Sequence, residues 1–109
     1  MGYDFAMAPT AQILFKALAD PTRRALFERL AKEGEHTVHA LTEQAGVSQP
    51  AVSKHLRILK LAGLVSERRD GRETRYRAHA QAILPLSDWI GVYGGTTLIA
   101  SSLRFSAPM

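Results

Sequence analysis

Apolar residues recur at helical spacing in five stretches of this chain, and each stretch is bounded by residues that start or stop helices. Between Pro9 and Ala19, Ile13, Leu14, Ala17 and Leu18 form the first apolar stripe. Asp20-Pro21 ends that helix and opens the next, because Asp caps a helix N-terminus and Pro suits the first turn. Leu26, Phe27, Leu30 and Ala31 make the second stripe, with Arg23, Arg24, Glu28 and Lys32 largely outside it, and Gly34 closes the segment. Thr37 can cap a short third helix that runs to about Ala45 and buries Val38, Leu41 and Ala45. Gly46 then permits a tight turn. Ser48 caps a fourth helix, in which Val52, Leu56 and Leu59 lie at i, i+4, i+7 while Gln49, Ser53, Arg57 and Lys60 follow a different face. One face of this helix packs; the other is free to touch something.

After Ala62-Gly63 the period changes from helical to alternating. Residues 64–69 and 72–78 read as strands flanking Asp70-Gly71, a strong hairpin signal. A fifth helix follows Ala80, with Ala82, Leu86, Trp89 and Tyr93 on one stripe and Ile83 and Ile90 beside it. Gly94-Gly95 and the small and β-branched residues beyond oppose its continuation. The expected architecture is mainly α with a small two-stranded β wing: a winged helix-turn-helix of about five helices. Residues 1–8 are expected as a flexible N-terminus, 9–93 as one folded domain, and 94–109 as a C-terminal tail. At 109 residues the chain holds one modest core.

Charge turns this outline into a functional expectation. Between Ser48 and Arg77 stand eight basic residues, Lys54, Arg57, Lys60, Arg68, Arg69, Arg72, Arg75 and Arg77, against Glu67, Asp70 and Glu73, a local balance of +5. The whole chain is only +4, so the excess is local, as expected for a surface that meets a phosphate backbone. A short helix, a tight turn and a helix with a polar exposed face form a helix-turn-helix, whose second helix fits the major groove. Gln49 can pair bidentately with adenine, Ser53 can donate or accept, and Lys54 can reach guanine or a phosphate. Arg57 and Lys60 lie further along the helix and suit phosphates. Arg68, Arg69, Arg72 and Arg75 on the hairpin would reach flanking backbone or an adjacent minor groove. A winged helix kept as a protein-interaction module without DNA binding is the alternative, and it predicts a neutral or acidic face on the fourth helix. No nucleophile and base pair, phosphate-cradling Gly loop or metal triad is visible, so an enzyme is not expected.

The segments ADPTRRALFERL, VSQPAVSKHLRILKLAGLV and RRDGRETRYR resemble the ArsR/SmtB class of bacterial winged-helix transcriptional repressors, over roughly residues 10–93. The resemblance implies that Gln49, Ser53 and Lys54 contact DNA, that Pro50 at the helix start faces it, and that the hairpin is the wing. Thr37 and Ser48, at the starts of the third and fourth helices, complete the expected DNA-binding set. Members of the family are homodimers whose first and last helices pair, which makes Ile13, Leu14, Leu18, Leu86, Trp89 and Tyr93 dimer surface. Spacing alone would assign those stripes to intramolecular core. The implied partners are double-stranded DNA and a second copy of the chain, with no membrane, no cofactor and an unknown small-molecule effector.

Many such repressors release DNA on binding a metal, yet this chain departs from their ligand patterns. It has no cysteine. Where the family's arsenic and cadmium sensors carry a Cys-x-Cys pair, Thr37 and His39 stand here. Where its zinc sensors place an acid and a histidine at the start of the last helix, this chain has Ala80 and Ala82, with His79 one residue out of register. His36 and His39 have i, i+3 spacing, but two ligands without a third make a weak site. His55 reads as a residue facing the DNA side or the adjoining helix. No metal is therefore expected. No apolar run reaches the length of a membrane span, and the N-terminus lacks a basic segment followed by an apolar one, so the expected compartment is the cytoplasm.

Overall fold

The computed structural model describes residues 2–94, with side chains described from Thr10 onward. Helix α1 (Gly2–Ala19) is followed by α2 (Pro21–Glu33), strand β1 (His36–Thr37), α3 (Val38–Glu43), α4 (Gln49–Leu61), β2 (Val65–Asp70) and β3 (Glu73–Ala78). A turn of 3-10 helix (Ala80–Ile83) then leads into α5, residues 84–94. Residues 2–8, expected as a loose end, are helical, since Ala6, Met7 and Ala8 are strong helix formers. Of the C-terminal tail expected over 94–109, residues 95–109 lie outside the described residues.

The caps fall where the sequence places them. The Asp20 carboxylate accepts from the Arg23 amide at 2.9 Å, Thr37 Oγ1 from the Ala40 amide at 3.0 Å, and Ser48 Oγ from the Ala51 amide at 3.3 Å. Each satisfies an otherwise orphaned N–H of the first helical turn. Arg23 and Arg24, polar positions outside the α2 stripe, reach back to the end of α1. Arg23 Nε donates to the Ala17 carbonyl at 2.6 Å, and a terminal nitrogen of Arg24 donates to the Leu18 carbonyl at 2.7 Å. Two cations thus sit on the negative end of the α1 dipole and fix the corner between the helices.

The core lies where α2, α3, α4 and the sheet meet. Leu41, Val52, Leu56, Leu59 and Leu64 are fully buried, joined by Leu26, Phe27 and Leu30 from α2 and by Leu14 and Ala17 from α1. Val65 and Tyr76 close it from the sheet. Leu14, expected at a dimer surface, is only 2% exposed and belongs to this core. Its neighbour Ile13 points outward and is 51% exposed, because adjacent helical positions diverge by about 100°.

The sheet is three-stranded, in the order β1-β3-β2, rather than the expected two-stranded wing. Strand β1 contributes two residues, His36 opposite Tyr76 and Thr37 opposite Arg75. So short a strand leaves no alternation to read. The β2–β3 register runs from Val65 opposite Ala78 to Asp70 opposite Glu73. The turn is therefore Gly71-Arg72, one residue later than Asp70-Gly71. Gly71 has φ 66°, while no residue other than glycine has positive φ among the described residues. A glycine at the first central position is the pattern of a type II′ turn, whose twist matches that of the strands.

Truncating Leu56 to Ala should cost about 2–5 kcal/mol of unfolding free energy in a denaturant titration, through lost burial and a residual cavity. Leu61→Ala, at a position 78% exposed on the same helix, should stay within about 0.5 kcal/mol of the parent.

Candidate nucleic-acid interface

Helix α4 presents two unlike faces. Val52, Leu56 and Leu59 are buried, whereas Gln49, Pro50, Ser53, Lys54, Arg57 and Lys60 are exposed. Because the buried face is locked into the core, the outer face has one orientation. Gln49 and Ser53 line an open groove of about 460 Å³, whose other walls come from Thr37 to His39 and from the hairpin residues Glu67, Arg72, Glu73, Thr74 and Tyr76. The start of α4 and the tip of the wing thus border one concave surface.

Pairing register sorts the wing side chains onto two faces. Residues directly opposite each other share a face, and neighbours along a strand alternate. Tyr76, Glu67, Arg69 and Thr74 lie on the face turned toward the core and the groove, while Arg68, Arg75 and Arg77 lie on the other. The four wing arginines expected to reach flanking backbone or an adjacent minor groove therefore stand on different faces: Arg69 on one, Arg68 and Arg75 on the other, and Arg72 in the turn.

Ion pairs sharpen the division. Arg68 grips the Glu35 carboxylate through two nitrogens, at 2.6 and 3.3 Å. Arg75 lies 3.0 Å from Asp70 and 3.3 Å from Glu73. Lys60 stands 3.3 Å from Glu67, which also accepts from the Tyr76 hydroxyl at 2.9 Å. The hydrogen bond from Arg68 holds the Glu35 carboxyl below its ordinary range, and those from Tyr76 and Lys60 do the same for Glu67. Burial, reinforced by the Glu67 carboxylate, pushes the Tyr76 phenol up to about 12. Among the described residues, Lys54, Arg57, Arg69, Arg72 and Arg77 have no carboxylate within ion-pair distance.

The pairings of Arg68 with Glu35 and of Lys60 with Glu67 are invisible to residue spacing, since they join separate elements of the chain. Glu35, Glu67 and Tyr76 are the residues that sequence reasoning passes over. Alternation within the hairpin could have marked Glu67 and Tyr76 as partners once the register was known.

The histidines separate. His36 Nε2 lies 2.9 Å from Glu33 and His39 Nε2 lies 3.3 Å from Glu43, so they turn to different carboxylates. His79 Nε2 is 2.9 Å from the Ser66 hydroxyl. His55 faces the adjoining helix α2, with Nδ1 3.3 Å from Arg23 and Nε2 4.0 Å from Asp20. Among the described residues, no group of three His, Cys, Asp or Glu side chains is arranged to hold a metal ion.

On the far side, Ile13 and Phe15 of α1 and Trp89, Ile90 and Tyr93 of α5 are exposed. The Phe15 and Trp89 rings meet edge to face at 5.3 Å, and Trp89 lies 4.9 Å from Tyr93. Of the six residues expected at a dimer interface, Trp89 and Tyr93 belong to this aromatic cluster and Ile13 is exposed on α1. Leu18 and Leu86 are partly buried against the core. Phe15 falls outside the expected set, and only the fold shows that it joins the cluster.

A family model described as a helix-turn-helix domain matches residues 18–68. The transcriptional repressor SdpR of Bacillus subtilis is 35% identical over 77 residues, 71% of this chain and 84% of the relative. The chain belongs to the ArsR/SmtB family of winged-helix transcriptional regulators. The arsenic resistance transcriptional regulator ArsR1 of Pseudomonas putida is 43% identical over 66% of this chain and 56% of its own length. The chain spans about half the length of the first curated family members it matches. Among solved structures, the homodimeric winged helix-turn-helix DNA-binding domain (fragment 1-100) of a possible ArsR-family regulator from Mycobacterium bovis superposes with a TM-score of 0.67 at 30% identity, covering 84% of this chain and 83% of that one. No helix among the described residues is long and apolar enough to cross a membrane.

Replacing Tyr76 with Phe should cost about 1.5 kcal/mol at neutral pH, by removing one hydrogen bond to a charged, half-exposed acceptor. A raised phenol pKa stabilises the fold fully below the ordinary value of 10.0 and ceases to do so as pH rises through about 12. Urea titrations at stepped alkaline pH should therefore show the parent losing stability across that window, with a shallower loss in the Phe variant.

Proposed function

We propose that the chain is a homodimeric DNA-binding repressor that reads an inverted-repeat operator, one α4 per half-site, with the wing on flanking DNA. The observation that carries this reading is the groove shared by the start of α4 and the wing tip. It sets Gln49 and Ser53, which can hydrogen-bond base edges, beside Arg72, which has no carboxylate within ion-pair distance among the described residues. Lys54, Arg57 and Arg69 add cations for the phosphates that position a protein on the duplex without reading sequence. Thr37 and Ser48 act first as helix caps, and Pro50 shapes the first turn of α4; all three stand at the rim of the DNA surface.

The second copy is supported by the exposed apolar patch of α1 and α5. The exposed aromatic cluster of Phe15, Trp89 and Tyr93 would bury in a two-fold interface, and two-fold symmetry of the protein would match a two-fold operator. The M. bovis domain that shares this fold is a homodimer, which favours the same arrangement here.

The upstream region of the protein's own gene is the first duplex to try in a mobility-shift titration, with and without zinc. Affinity should fall on the order of 10³–10⁵-fold between 50 and 200 mM salt if six to ten phosphates are contacted per dimer. Gln49→Ala should relax base preference, whereas Arg72→Ala should weaken all duplexes alike and lower the salt slope by about one for each Arg72 in contact. Binding indifferent to salt and to both substitutions would remove the proposed DNA surface. For the dimer, Ile13→Glu combined with Tyr93→Glu should convert the sedimenting species to a monomer that binds DNA weakly. An unaltered dimer would place the interface elsewhere.

A further inference from the structure

Arg68 and Arg75 stand directly opposite each other in the β2–β3 ladder, on the face opposite to that of Glu67 and Tyr76, and neither lines the groove. Two like charges at such a position repel and weaken the hairpin unless each has a counter-charge. Each has one, from a different source. Asp70 and Glu73 serve Arg75 from within the hairpin. Arg68 is held from outside it, by Glu35, which lies between the last turn of α2 and strand β1. The contact is two-pronged, through Nε and a terminal nitrogen. A guanidinium and a carboxylate meeting in this fork fix direction as well as distance. The Glu35–Arg68 contact therefore ties the outer strand β2 across β3 to the segment that leads into the helix-turn-helix.

We propose that Glu35 is a positioning residue for DNA binding: through Arg68 it fixes the angle of the wing, and Arg68 is a strut rather than a phosphate contact. The inference rests on the DNA-binding reading above. It divides the basic wing by role. Arg69, on the groove face, and Arg72, in the turn, meet the phosphates; Arg68 and Arg75 hold the hairpin in shape. A carboxylate beside a true phosphate contact would compete with DNA for the same guanidinium. Beside a strut it has no such conflict, which accounts for an acid paired into the most basic segment of the fold.

A charge swap separates strut from grip, because Glu35→Arg with Arg68→Glu keeps the net charge and can restore the pair, but leaves a carboxylate where a phosphate contact would need a cation. The full-length protein and its variants are titrated with an operator duplex at several salt concentrations. Arg68→Glu alone should weaken binding by about three- to fivefold, the upper end of the scale set by the loss of one surface ion pair. The swap should return affinity to within about twofold of the parent, with the parent's salt slope. Amide exchange across residues 65–78, measured without DNA, should quicken in Arg68→Glu and return to parental rates in the swap. The proposal is overturned if the swap binds as poorly as Arg68→Glu with a slope lower by about one per contact, or if wing exchange is the same in all three proteins. A parent protein that shifts no duplex, even at low salt, would remove the DNA-binding reading and this inference with it. Loss of the swap alone would remove only the inference.

Discussion

Everything the proposed DNA-facing surface can do depends on how α4 is seated. Val52, Leu56 and Leu59 fill a core already walled by Leu30, Leu41 and Leu64, and none of these six leaves more than a trace of surface to solvent. Three large buried side chains at i, i+4 and i+7 prevent the helix from rotating about its axis, since a turn of even one residue would bring a polar side chain into that core. The ends are fixed as firmly, by the Ser48 cap at one side and by the break at Ala62-Gly63 at the other. Gln49 and Ser53 are thus presented by a rigid element, and only a rigid element can hold hydrogen-bonding groups in register with base edges.

Around this helix the charge is organised by the pleat of the sheet. A balance of +5 in thirty residues suggests an evenly cationic surface, but alternation along β2 and β3 puts Arg69 on the face of Glu67 and Thr74 and Arg68, Arg75 and Arg77 on the opposite face. Carboxylates then neutralise part of the excess where it would only repel itself. Glu35, Asp70, Glu73 and Glu67 each lie within ion-pair distance of a basic side chain of this segment. Such exposed pairs contribute little stability individually. Their effect is geometric, because they determine which cations remain free and where those stand.

Position divides the α1 and α5 surfaces in the same way. Leu14 and Ala17 turn into the core while Ile13 and Phe15, which flank Leu14 at about 100° to either side, stay in solvent. Trp89 and Tyr93 continue the Phe15 side onto α5, with Trp89 packed against both Tyr93 and Phe15. Helix α1 therefore packs inward through Leu14 and Ala17 and leaves Ile13 and Phe15 on its surface. Of the stripe expected at a dimer surface, Leu14 lies in the core and Ile13 is exposed.

The sequence by itself determined the elements whose causes are local: the caps at Asp20, Thr37 and Ser48, the stripe of α4, the hairpin, and the family resemblance carried by residues 47–77. Caps act over three residues and stripes over a few turns, so both are written in neighbouring positions. Tertiary structure alone decided what joins distant segments. It recruited His36 and Thr37 as a third strand, shifted the turn to Gly71-Arg72 through the pairing register, sent Leu14 inward, and brought Glu35 to Arg68 across 33 positions. Spacing cannot express these outcomes, because each depends on which surface another element leaves open once the core has closed.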